Sequence, residues 1–228
     1  MQQVAGVVPF TSIDFPGFLA AVVFFQGCPL RCPFCHNPEL QAFPGPIGQS
    51  WDEIIVFLKG RTKRLDGVVF SGGEPLMSAE IVEKAKEIKQ LGFKVAVHTS
   101  GVYPERLKEM LPLLDWVGLD IKASWDNYEE LCGRPNMLEQ VKESLKILLN
   151  SGIDFEARTT CDPRHLTPED TLRIAKTLHE MGVKTYALQK YRTFDADKNP
   201  PSIVDIESFF TPEALRPIQK LYPKLICR

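Results

Sequence analysis

Leu19-Ala-Ala-Val-Val-Phe-Phe25-Gln-Gly-Cys28-Pro-Leu-Arg-Cys32-Pro-Phe-Cys35-His-Asn37 joins an unbroken apolar run to three cysteines within eight positions. A short run without polar alternation is the pattern of a strand buried on both faces, as in a parallel sheet covered by helices. Five more strand candidates follow: Gly67 to Phe70, Lys94 to His98, Trp116 to Ile121, Phe155 to Thr160 and Thr185 to Leu188. Between and after the six strands lie stretches of helical period: Trp51 to Leu58, Ala79 to Leu91, Glu105 to Leu111, Leu138 to Ser151, Pro168 to Met181 and Pro212 to Leu221. Ser50, Ser78 and Thr167 stand where N-caps belong, and Gly92, Gly152 and Gly182 where a helix ends in a left-handed residue. Strand followed by helix, repeated about six times, predicts an α/β fold with a mostly parallel sheet. A closed barrel needs eight such units in about 250 residues, so a partial (β/α)6 barrel is expected, with an open doubly wound sheet as the alternative. No repeat, low-complexity tract or domain linker is visible, and the chain reads as a single domain over residues 1–228. The segments Phe43 to Gly48 and Asp195 to Ser202 read as connections.

Composition narrows the function. With 44% hydrophobic and 25% charged residues in 228, the chain can bury one sizeable core. A formal charge of -2 supplies no basic field for nucleic acid. The run Phe18 to Phe25 is too short to cross a bilayer, and Met1 to Phe10 lacks the basic start of an export signal, so a cytoplasmic protein without membrane partners is expected. Of the six cysteines, Cys132, Cys161 and Cys227 stand apart from the cluster, which is not the dispersed pattern of a disulfide scaffold. Clustered thiols in a reducing compartment point to metal. Three thiolates leave one iron of a [4Fe–4S] cluster open to a further ligand. A structural zinc with His36 as fourth ligand is the other reading, although no second ligand pair accompanies it.

Ligands gather at the C-terminal ends of strands in such folds. Ser71-Gly72-Gly73-Glu74-Pro75 follows the second strand, and the paired glycines let backbone approach a bound amino acid while Glu74 supplies negative charge. His98-Thr99-Ser100-Gly101 follows the third, where Thr99 and Ser100 are candidate cofactor contacts and His98 reads as a hydrogen-bonded buried histidine. Asp120 and Lys122 fall on one face at the end of the fourth. Arg158, in the fifth, shares a face with Glu156 and Thr160 and is a candidate carboxylate fork, with a Glu156 contact as the structural alternative. Gln189 and Lys190, then Tyr191 and Arg192, close the sixth.

Cys28-x3-Cys32-x2-Cys35, with aromatic Phe34 before the last cysteine, resembles the signature of the radical S-adenosylmethionine (SAM) superfamily, and Gly72-Gly73-Glu74 resembles its SAM-binding motif. The resemblance implies a cluster held by Cys28, Cys32 and Cys35, with Phe34 near the adenine and Gly72 to Glu74 at the methionine amino group. It further implies that Asp120, Lys122 and Arg158 lie toward the ribose and carboxylate, with Thr99, Ser100 and Gln189 completing the cofactor contacts. The chemistry it implies is one-electron cleavage of SAM to methionine and a 5′-deoxyadenosyl radical. Phe10-Thr-Ser-Ile-Asp14-Phe-Pro16-Gly17, Val22 to Cys28, Cys35-His-Asn-Pro-Glu39 and Asp120-Ile-Lys122 are similar to the activating enzymes of glycyl radical enzymes, most of all those of anaerobic ribonucleoside-triphosphate reductase. That likeness implies a glycyl radical enzyme as protein substrate and a flavodoxin or ferredoxin-type electron donor. With no extra cysteines between Cys35 and the second strand, one cluster is expected. The rival functions are a small-molecule radical SAM enzyme such as a 7-carboxy-7-deazaguanine synthase and a zinc-binding interaction protein without catalysis.

Overall fold

The computed structural model describes residues 3–45, 48–193 and 197–228. The strands are β1 (Val4–Thr11), β2 (Ala20–Phe25), β3 (Gly67–Gly72), β4 (Lys94–Thr99), β5 (Trp116–Asp120), β6 (Phe155–Cys161), β7 (Tyr186–Lys190) and β8 (Ile226–Cys227). The helices are α1 (Trp51–Lys59), α2 (Ile81–Gln90), α3 (Pro104–Met110), α4 (Tyr128–Cys132), α5 (Met137–Ser151), α6 (Pro168–Glu180), α7 (Ile203–Glu207) and α8 (Pro212–Leu221). The strands follow one another in sequence order, β1 to β8. β1 pairs antiparallel with β2, whereas β2–β3, β3–β4, β6–β7 and β7–β8 are parallel. The mostly parallel α/β sheet expected from the sequence is therefore present.

The chain divides into two compact units. One comprises Met1–Leu30, Asn37–Gly118 and Gln140–Asp154. Its strands are buried on both faces: Ala20 to Val23, Val68 to Phe70 and Val95 to Val97 are each at most 2% exposed, which is why they read as continuous apolar runs. Phe15, Ala20, Val22, Val69, Ala96 and Trp116 form a core cluster, with Phe18 and Phe24 packed against it. Ser50 and Glu53 close a capping box on α1, which fixes where the chain turns back toward β3.

The other unit comprises Arg31–His36, Leu119–Glu139 and Phe155–Arg228. Ala157, Thr159 and Cys161 of β6, Tyr186 to Leu188 of β7 and Ile174, Ala175 and Leu178 of α6 are all buried. The Tyr186 hydroxyl donates to Thr159 Oγ1 at 2.9 Å, and its ring lies 5.4 Å from that of Tyr222. Thr167 and Asp170 form the capping box of α6.

The structure corrects the expected elements at β1, β8, α4, α7 and the start of α2. There are eight strands rather than six among the described residues. β1 was hidden because Gly6 and Pro9 interrupt it and most of its residues are half-buried or exposed, as suits an edge strand; β8 is two residues long and shows no period. The five-residue α4 and α7 are too short for a helical period to emerge. Ser78 is not the cap of α2: its hydroxyl accepts from Glu80 N at 3.2 Å, and the helix begins only at Ile81. Gly92, Gly152 and Gly182 do have positive φ, at 88°, 75° and 94°. Of the two expected connections, residues 46–47 and 195–196 lie outside the described residues.

Candidate functional site

In the first unit, the end of β2 and the end of β3 are joined by backbone. Gly73 N donates to Phe25 O at 2.8 Å, and Glu74 N donates to Gly27 O at 2.9 Å. This approach requires glycine. A Cβ on Gly73 would stand 2.2 Å from Gly27 O and 2.9 Å from Leu40 O, and Gly72 has φ +110°. Gly27 in turn donates to Leu40 O at 2.8 Å and Cys28 N to Gln41 O at 3.3 Å. The buried Gln26 donates through Nε2 to Glu39 O and Ala42 O at 3.0 and 2.7 Å. The half-buried Cys28 is thus carried on a loop pinned on one side by residues 39–42 and on the other by the glycine pair.

Glu74 is wholly buried. Its Oε1 accepts from Thr99 Oγ1 at 2.8 Å and Leu76 N at 3.1 Å, and its Oε2 from Ser100 N and Ser100 Oγ at 2.8 and 2.5 Å. Burial raises its pKa, against the hydrogen bonds from Ser100, Thr99 and Leu76 that favour the carboxylate. Thr99 and Ser100, candidate cofactor contacts by sequence, thus have their hydroxyls on Glu74 and tie the end of β4 to the glycine turn. His98 packs at 5.8 Å on Trp116, and its Nε2 lies 2.9 Å from Asp14 O.

In the second unit, the segment Arg31–His36 carries two of the cysteines. Arg31 N donates to Cys132 O at 3.0 Å, and Cys35 N to Cys32 O at 3.2 Å. Phe34 is buried, with its ring 6.1 Å from that of His165. His36 packs at 5.2 Å on Tyr191, and its Nε2 accepts from Arg192 N at 3.2 Å. Burial, with the charges of Lys122 and Arg192, lowers the His36 pKa.

Asp120, Lys122 and Arg158 form a charged triad. Lys122 Nζ donates to Asp120 Oδ2 at 2.8 Å, and Arg158 donates to Oδ1 through Nε at 2.8 Å and through its terminal nitrogen at 2.6 Å. Arg158 therefore pairs with Asp120 rather than Glu156, the structural alternative allowed by strand alternation; Glu156 is held by Arg228 at 2.5 Å. Burial depresses Lys122, but Asp120 and the Cys32 and Cys35 thiolates outweigh it and raise its pKa. The reciprocal effect falls on Cys32. A hydrogen bond from the Cys132 thiol lowers its pKa most, burial opposes, and Lys122 adds to the lowering, bringing it to about 7. Gln189 sits half-buried in β7, in register with Thr160 of β6.

Sequence reasoning missed three participants. The Tyr128 hydroxyl lies 3.4 Å from both Asp120 O and Lys122 N. Cys132 sits at the end of the unexpected α4. Arg164 joins the buried Asp162 to Asp197, at 2.6 and 2.9 Å, and stacks 4.7 Å over Tyr191. Only Arg164 left a sequence signal, as a charged residue just after β6.

The sequence profile described as "Radical SAM superfamily" matches residues 22–164, more than half of the chain. The chain belongs to the radical SAM superfamily. Among relatives of this radical SAM protein is a provisionally named glycyl-radical enzyme activating enzyme of Methanocaldococcus jannaschii, 32% identical over 203 residues, covering 85% of this chain and 81% of the relative. The pyruvate formate-lyase-activating enzyme of Clostridium pasteurianum is 30% identical over 206 residues, covering 87% of this chain and 85% of that one. By these relatives the protein groups with the activating enzymes of glycyl-radical enzymes. The crystal structure of Streptococcus suis SuiB bound to S-adenosylmethionine shares the fold, with a TM-score of 0.68 at 14% identity over 89% of this chain. The chain spans about half of SuiB, 48% of its length.

Members of the superfamily use a [4Fe–4S] cluster and SAM. The donor chemistry suits such a cluster. The Cys32 thiol has its pKa brought down toward neutrality by the Cys132 thiol and Lys122, so its thiolate is favoured where iron requires one.

Proposed function

We propose that this radical SAM protein is the activating enzyme of a glycyl radical enzyme, with anaerobic ribonucleoside-triphosphate reductase as its partner. The observation that carries the reading is likeness over more than four-fifths of both chains to two proteins named as activating enzymes. The finer choice of partner is supported by the similarity of the segments around Asp14, Cys35 and Asp120 to the reductase-activating group. In this reading all of 1–228 is one radical SAM domain working in the cytoplasm, with a flavodoxin or ferredoxin-type protein as electron donor.

Cys28, Cys32 and Cys35 hold a single cluster. When bound, cluster and SAM supply a one-electron cleavage whose radical product abstracts hydrogen from a glycine. The chain's own residues bind and orient. The Cys132 thiol and the Lys122 charge favour the thiolate form of Cys32. The backbone at Gly72 and Gly73 receives the methionine end of SAM, with Glu74, Thr99 and Ser100 fixing that backbone. Arg158 and Lys122, both braced by Asp120, offer cationic donors to the cofactor carboxylate and ribose. Phe34 and Gln189 complete the adenosine contacts.

Anaerobic reconstitution tests the reading. A brown [4Fe–4S] spectrum and 5′-deoxyadenosine on reduction establish the cofactor chemistry, and a glycyl paramagnetic doublet on adding the reductase establishes the partner. Deoxyadenosine without a doublet on any glycyl radical enzyme of the host overturns the activase reading. Purification with zinc in place of iron overturns the cofactor reading as well.

A further inference from the structure

β6 carries two opposite charges on one face. Glu156 and Arg158 are two positions apart, so strand alternation turns both side chains to the same side of the sheet, about 7 Å apart along the backbone. Both are buried, and each is engaged elsewhere. Ile121 N donates to Arg158 O at 2.8 Å, which brings Asp120 alongside, and Asp120 takes the Arg158 guanidinium. Glu156 is taken by Arg228, which donates to Oε1 at 2.5 Å through one terminal nitrogen and to Oε2 at 3.5 Å through the other. Arg228 is itself fixed by backbone: its N donates to Leu188 O at 3.1 Å, and its O accepts from Lys190 N at 2.7 Å. Leu188 stands opposite Cys227, and Gln189 opposite Thr160, so Arg228 falls beside Gln189 on the face that carries Arg158. The two carboxylates differ in what they have besides these arginines. The Asp120 side chain is 28% exposed and also holds Lys122, whereas that of Glu156 is 1% exposed, with Arg228 as its one cationic partner among the described residues. A buried carboxylate stripped of its cation costs far more than one that keeps water and a second cation. Without Arg228, Glu156 would therefore be the stronger draw on the cation of its own strand face, Arg158.

We propose that Arg228 is a positioning residue for Arg158: by satisfying Glu156 it leaves the Arg158 guanidinium to Asp120. From that place Arg158 meets the carboxylate of SAM. The second statement rests on the function proposed above, whereas the choice of partner by Arg158 does not. Arg228 acts through charge, so a lysine at its position does the same work and an uncharged side chain does not.

A double-mutant cycle on the full-length protein, read as urea midpoints, tests the choice of partner. In Arg228→Met the Arg158 guanidinium turns to Glu156, so adding Asp120→Asn should shift the midpoint by about half, or less, of its shift in the wild type. An undiminished shift means that Arg158 stayed on Asp120, with Glu156 protonated or merely unpaired, and overturns the proposal. In Glu156→Gln/Arg228→Met the competitor is gone and the full shift of Asp120→Asn should return; a shift that stays small overturns the proposal too. Should Arg228→Met not fold, Arg228→Gln removes the charge with a smaller loss of side chain and takes its place in the cycle. Calorimetry on the reconstituted protein then tests the consequence. Arg228→Met should bind SAM about tenfold more weakly with its iron content unchanged, and both Arg228→Lys and Glu156→Gln/Arg228→Met should recover the affinity. The cycle needs neither cluster nor SAM. A diminished shift with wild-type SAM affinity in Arg228→Met therefore upholds the positioning and sinks only the reading of Arg158 as a SAM contact.

Discussion

Ser100 holds Glu74 twice, donating to the same carboxylate oxygen from its backbone nitrogen at 2.8 Å and its hydroxyl at 2.5 Å. With Thr99 and Leu76 on the other oxygen, the carboxylate becomes the knot between β4 and the glycine turn after β3. Its role in the architecture is as definite as any role toward a ligand.

Glu74→Gln keeps one acceptor oxygen and turns the other into an amino group, so the buried donors on one side, Ser100 N and Oγ or Leu76 N, lose their acceptor. A loss of about 1–3 kcal/mol of folding stability is expected, read from the urea midpoint, together with weaker SAM binding by calorimetry. Ser100→Ala removes one donor and leaves the other, so its loss should be the smaller. Unchanged stability in Glu74→Gln would show that the knot carries no load.

Asp120 balances two cations of which one, Arg158, has a side chain only 6% exposed. Asp120→Asn removes the carboxylate that both cations share, and breaking a buried pair in this way costs about 3–5 kcal/mol. Lys122 is the more exposed partner, at 19%, so the lower end applies. Thermal denaturation should therefore show a marked fall for Asp120→Asn and a milder one for Lys122→Met. Equal losses would mean that Lys122, not Arg158, dominates the triad.

A methyl group on Gly73 collides with the backbone of Gly27, the residue before Cys28. Gly73→Ala should displace the Cys28 loop and reduce iron and sulfide incorporation on reconstitution. Gly92→Ala is the control: its φ of +88° imposes backbone strain of about 1 kcal/mol, but no atom lies within 4 Å of the added carbon. That variant should lose stability and keep its iron. Normal iron content in Gly73→Ala would refute the steric argument.

Cys32 titrates at about 7 in the folded, cluster-free protein, below its free-thiol value of about 9. Because the folded pKa is depressed, the thiolate's contribution to stability is present above pH 9 and is lost as pH falls through 7. Iodoacetamide labelling of Cys32, followed by mass spectrometry, should reach half its maximal rate near pH 7. Removing the cation with Lys122→Met should move that midpoint upward; a midpoint that does not move would place the cause wholly with Cys132.

The linear chain determined the elements that repeat and the residues that share a short segment. β2, β3, β4, β5 and β7 were legible because burial on both faces leaves a strand no polar alternation, and the ends of α1 and α6 because their capping boxes are local in sequence. The three cysteines and the Gly-Gly-Glu turn were legible because each motif is contiguous. What β1 and β8 do could not be read, since an edge strand broken by Gly6 and Pro9 and a strand of two residues gain their order from a neighbour rather than from their own pattern. Nor could the partners of the candidate side chains: alternation allowed Arg158 to meet Glu156, and only packing across strands gave it Asp120. Contacts such as Thr99 and Ser100 to Glu74, or Cys132 to Cys32, join residues 25 to 100 positions apart in the chain. No local propensity encodes them, because their free energy exists only once the elements that carry them have docked.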